Sequence, residues 1–98
     1  MRMMMKITMQ VEAGNKALQE GILQRTLQST MERVRPEASY FGPDGGKRTA
    51  FMFFDLKDPS EIPSIVEPLF RALNAQVELT PVMNAQDLAA GLEKVHAK

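Results

Sequence analysis

Tyr40, Arg48 and His96 are the side chains best equipped for chemistry in this sequence. Tyr40 is the only tyrosine, and its hydroxyl could donate a hydrogen bond to a phenolate or carbonyl oxygen. The plainer reading is a strand aromatic packed for area with its hydroxyl in water. Arg48 could hold an anionic ligand through two parallel N–H bonds, or form an ion pair with Glu37 or Asp44 in the same hairpin. His96 has an ordinary pKa near neutrality and so could pass protons. It sits in the last turn of a terminal helix, where fraying loosens the placement catalysis needs. Asp55, Asp58 and Glu61 put three carboxylates within seven residues, but Asp58 and Glu61 are better explained as helix-capping groups. Met9, Phe51, Met52 and Phe53 could line an apolar pocket, although such residues at strand spacing usually form plain core.

Composition removes many alternatives. The 98 residues hold no cysteine, no tryptophan and one histidine. Thiolate nucleophiles, disulfides and Cys-based zinc or Fe–S sites are excluded, as is a three-histidine site within one chain. Walker, H-E-x-x-H and G-x-G-x-x-G patterns are absent. The reading therefore names no cofactor and no metal. Twelve Lys and Arg balance twelve Asp and Glu, which argues against a nucleic-acid partner. The start, Met1 to Lys6, turns polar too soon for a signal peptide, and no stretch approaches the ~18 apolar residues of a membrane span. A cytoplasmic, non-membrane protein is expected. Met4 or Met5 would serve as a start as well as Met1, with the first strand expected to survive either choice.

The elements that must position those side chains follow from periodicity. Residues 6–12 alternate, with Ile7, Met9 and Val11 on one face, and predict a half-buried strand ended by Gly14-Asn15. Residues 16–33 predict one helix with Gly21 inside it. Residues 37–41 and 47–56 predict two strands around Gly42-Pro43-Asp44-Gly45-Gly46, a hairpin rather than a phosphate cradle, because the glycines lead into a strand. Asp58-Pro59-Ser60-Glu61 starts a helix with a capping box, and Pro68 should kink or split it. A strand over 75–80 and a last helix capped by Asn84 and Asp87 complete the chain.

The segment 47–56 is apolar on both faces. Phe51 and Phe53 share one side, Met52 and Phe54 the other. A strand apolar on both sides is covered on both sides, and so short a chain has little left for a second cover. A homodimer through the open sheet face is the economical solution, with Met52 or Phe54 as the side chain needing that cover. Replacing Phe54 with Glu is then expected to split the dimer or unfold the chain.

The order strand, helix, strand, strand, helix, strand, helix is an α+β, ferredoxin-like split βαβ arrangement with one added C-terminal helix. The antiparallel sheet should run in order 4-1-3-2, with both crossover helices on one face. The whole chain, residues 1–98, is expected to be a single domain.

Four features together resemble the bacterial DUF3303 family. They are the opening strand at 6–12, the hairpin at 37–56, the broken-helix stretch Glu67-Pro68-Leu69-Phe70, and the tail Thr80-Pro81-Val82 followed by a capped Ala/Leu-rich helix from Asn84 to Val95. The resemblance implies a place in the dimeric α/β-barrel superfamily, with two sheets closing into a dimeric α+β barrel. It brings no reaction, since relatives of that architecture range from cofactor-free monooxygenases to isomerases and fold does not fix function. The expected function is a small dimeric protein that is non-catalytic or binds a small apolar ligand. The alternative is a cofactor-independent monooxygenase or isomerase acting on a small apolar or phenolic compound, with Tyr40 or Arg48 stabilising the oxyanion.

Overall fold

Methionines at alternate positions build the first strand. In the computed structural model, which describes residues 1–97, β1 spans Arg2–Thr8. Met3, Met5 and Ile7 point into the core, and Arg2, Met4, Lys6 and Thr8 point to the other face. The alternation was legible, but the strand lies four residues earlier than its pattern suggested. A chain begun at Met5 would lose Arg2, Met3 and Met4 from it.

The segment after Met9 is helical instead of extended. α1 spans Val11–Gln19 and α2 spans Ile22–Val34. The single helix expected over 16–33 is broken at Gly21, whose φ of +75° is left-handed. That conformation ends α1 and lets α2 start in a new direction, at little steric cost only to glycine. β2 (Ala38–Asp44) and β3 (Lys47–Asp55) form the expected hairpin. Gly45 and Gly46 both have positive φ, the signature of the type I′ turn that suits strand twist.

One 3₁₀ turn, Pro59–Glu61, leads into α3 (Ile62–Leu73). Pro68 does not split α3, which runs through it. A proline removes the bond to the carbonyl four residues back; here that carbonyl belongs to Ser64, and both residues are exposed, so water can take the bond's place. β4 (Gln76–Pro81) and α4 (Ala85–His96) follow.

The sheet order is β2-β3-β1-β4, all antiparallel, which is the expected 4-1-3-2 arrangement. Helices α1, α2 and α3 lie against one face. Their core with the sheet centres on Met5, Ile7, Met52, Phe54, Leu69 and Leu73. No buried side-chain nitrogen or oxygen among the described residues lacks a partner. Thr30, for example, donates from Oγ1 to the Thr26 carbonyl at 2.8 Å.

The barrel expected from the sequence is not formed, and the dimeric α/β-barrel placement falls with it. The sheet is open, with β2 and β4 as two unjoined edges. The argument for closure rested on the second apolar face of β3, and that face is partly covered from within the sheet. The Lys6 ammonium lies 5.9 Å from the centre of the Phe51 ring, so its stem screens the aromatic while its head stays wet. Phe51 and Phe53 end up half-buried. The side chains assigned to the two faces also change places. Met52 and Phe54 are sealed under the helices, and the open face carries Phe51 and Phe53.

Candidate functional site

The register of the hairpin decides which way each candidate side chain faces. Tyr40 pairs with Phe51 and shares its side, so it stands on the open face, 64% exposed. It does not enter the space between helices and sheet. Arg48 pairs with Pro43 and points to the helix side, half-buried. His96 is exposed at the end of α4. The three candidates thus occupy three separate places, and the structure assembles no joint site from them.

Around Arg48 a cleft opens between the helices and the hairpin. Its volume is about 580 Å³, and Met9, Val11, Leu23, Leu27, Phe41 and Ala50 give it an apolar lining. Asn15, Lys47, Arg48 and Thr49 supply the polar side chains. The strand position of Arg48 is fixed by its own backbone, because the Met9 N–H donates to the Arg48 carbonyl at 3.0 Å. Its side chain lies over α1 at Gly14. A Cβ on Gly14 would stand 2.9 Å from Nη1 of Arg48 and 3.5 Å from its Cδ. The buried glycine is what lets the guanidinium lie flat on the helix.

Both carboxylates that could have neutralised Arg48 are engaged elsewhere. Asp44 accepts from Lys6 Nζ at 2.9 Å, and Glu37 accepts from Arg2 Nε at 2.6 Å. These bonds raise the pKa of Lys6 and of Arg2, in each case through the hydrogen bond first and the attraction of the same carboxylate second. No ion pair reaches Arg48 among the described residues. An arginine half-withdrawn from water, over apolar walls and without a counter-charge, suits the head group of an anionic ligand.

The carboxylates at 55–61 make no metal centre. Asp58 Oδ1 accepts from the Ser60 N–H at 2.9 Å and Glu61 Oε1 from the Asp58 N–H at 3.2 Å, a complete capping box. Asp55 receives the N-terminal ammonium at 2.7 Å, which lowers its pKa. Among the described residues no three His, Asp or Glu side chains converge as metal ligands. Of the expected apolar pocket residues, only Met9 lines the cleft; Met52 is core, and Phe51 and Phe53 face the other way. Gly14 was read as a strand terminator, and neither it nor Leu27 nor Phe41 was assigned to a site, because no local spacing links residue 14 to residue 48.

The sequence profile of DUF3303, a domain of unknown function, matches residues 1–96. The chain belongs to the DUF3303 family. Among curated proteins none matches it. In this DUF3303 chain no helix among the described residues is long and apolar enough to cross a membrane.

Proposed function

We propose that this DUF3303 protein binds a small amphipathic anion, an apolar body bearing a carboxylate or phenolate, in the cleft beneath α1 and α2. The observation that carries the reading is Arg48, without an ion-pair partner among the described residues, laid over Gly14 and lining an apolar cleft of about 580 Å³. That volume is within the range of small-molecule sites. Binding is favoured over catalysis because the cleft lining holds no carboxylate or imidazole to move a proton, and Tyr40 stands on the opposite face of the sheet. The protein works as a single domain and as a homodimer through the open sheet face, in the cytoplasm.

Titration calorimetry with benzoate, phenylacetate and octanoate tests the cleft. Saturable binding by one of these, absent for the matching alcohol and weakened about tenfold or more in Arg48→Gln, is the expected result; loss of a charge-assisted bond of about 1.5–3 kcal/mol corresponds to that weakening. Binding by none of them, or binding unchanged in Arg48→Gln, overturns the reading.

A further inference from the structure

Among the described residues, no element of its own chain buries α4. None of its residues is buried, although its stripe Leu88, Leu92 and Val95 is apolar. The helix projects from the sheet, so the chain measures 57 × 28 × 18 Å, with a radius of gyration of 15.7 Å against about 13 Å for a compact chain of this length. Its root is nevertheless well built. Asn84 and Asp87 form a reciprocal capping box at 2.8 and 3.1 Å, and Asp87 also accepts from Arg2 Nη1 at 3.2 Å. The Val82 N–H donates to the Arg2 carbonyl at 3.1 Å. A helix of only 12 residues is marginal in water without packing.

The same chain carries a second apolar surface that Lys6 covers only in part. Met4, Phe51 and Phe53 lie side by side on the open face of β1 and β3. Two adjacent strands are about 10 Å across, the width of one helix. Both cations near this patch are already paired, Lys6 with Asp44 and Arg2 with Glu37 and Asp87, while Glu78 on the same face has no ion pair among the described residues. Covering it therefore strands no bare cation.

We propose that α4 of one copy lies along the open face of a second copy, reciprocally, so that each sheet is covered by its partner's arm. This rests on the homodimer reading above and names the element that makes the contact. Area selects a second copy over a foreign partner. A 12-residue helix about 18 Å long and 11 Å wide offers about 300 Å² on one side, and the sheet beneath it a similar amount. Two reciprocal seats bury about 1,200 Å², the lower end of stable interfaces, while one seat buries half of that. A two-fold pair satisfies both orphan surfaces at once.

Light scattering of the full chain, with Leu88→Glu/Leu92→Glu and Phe53→Glu, tests the arrangement. The arm variant touches nothing in its own core, so its thermal melt should stay that of a folded domain. The expected result is a native mass twice that of the chain, falling to the single-chain mass in both variants, with dimer affinity at least 100-fold weaker. A dimer that survives the arm variant but not Phe53→Glu overturns the arm seat and leaves the sheet-face dimer standing. A dimer that survives both, or a native monomer, overturns both. Met4→Lys probes the same patch should Phe53→Glu fail to fold.

Discussion

Nη1 of Arg48 lies 2.9 Å from the point a Cβ on Gly14 would occupy. A glycine inside a helix ordinarily costs about 1 kcal/mol relative to alanine, so this one exchanges helix stability for room beneath a guanidinium. Gly14→Ala should therefore separate stability from binding. The expected outcome is a melting temperature unchanged or slightly raised, because α1 gains propensity and the long arginine can swing aside. Affinity for the anionic probe should fall about tenfold, the equivalent of ~1.4 kcal/mol. Calorimetry and a thermal melt on the same sample check it. Unchanged affinity would show that the seat on Gly14 is irrelevant to the ligand.

How much of this was legible depends on whether the signal was local. Alternation at Ile7 and Met9, a glycine-rich turn within residues 42–46 and the capping box at Asp58 and Glu61 are all written within a few residues and each has an observed counterpart, although Val11 of the same alternation falls in α1 and residues 42–44 extend β2. The break at Gly21 was not legible, since a glycine in a helical pattern reads alike whether its φ is negative or +75°. The cleft was invisible for another reason: Arg48 meets Gly14 only after β3 has paired with β1 and α1 has packed down. The barrel was over-read from a true observation. Both faces of β3 are apolar, but Lys6 screens Phe51 within the sheet, which no count of apolar residues reveals.

Neighbours in sequence, Phe53 and Phe54 should respond to substitution in opposite ways. Phe54 is 2% exposed under the helices. Phe54→Ala should cost about 3–5 kcal/mol through the cavity it leaves, and Phe54→Glu should abolish folding, because a buried lone carboxylate is far more costly. Phe53 is half-buried on the open face, so Phe53→Glu should leave a cooperative melt. Denaturant titrations of the three variants decide the matter; a folded Phe54→Glu protein would contradict the assignment of faces.

Gly21 and Gly91 offer a second contrast. Gly21→Ala forces a side chain into the left-handed region, at about 1–2 kcal/mol, and should lower the melting temperature by several degrees. Gly91 lies within α4 with a right-handed backbone and open space where a Cβ would stand. In the monomeric Phe53→Glu background, Gly91→Ala should raise helix content through propensity alone and leave the core melt unmoved. Circular dichroism against temperature reads both changes. Equal effects at the two positions would deny that α4 stands apart from the core.

The cap on α3 should make stability depend on acid. The Ser60 N–H, bonded to the Asp58 carboxylate, holds that carboxyl below its ordinary value of 3.8. A lowered folded pKa means the unfolded chain takes up the proton first. The contribution is therefore complete above the unfolded value and is lost as pH falls through the folded one. Asp58→Asn keeps an acceptor for Ser60 but cannot titrate, so it should stay close to the native protein in stability at neutral pH and lose less on acidification from pH ~5 to ~2. Asp58→Ala should be less stable than both at neutral pH and should converge on the native protein in acid. Melting temperatures across that window test the ordering. An alanine variant that stays below the native protein by a constant margin at every pH would show that the carboxylate's charge contributes nothing to the cap.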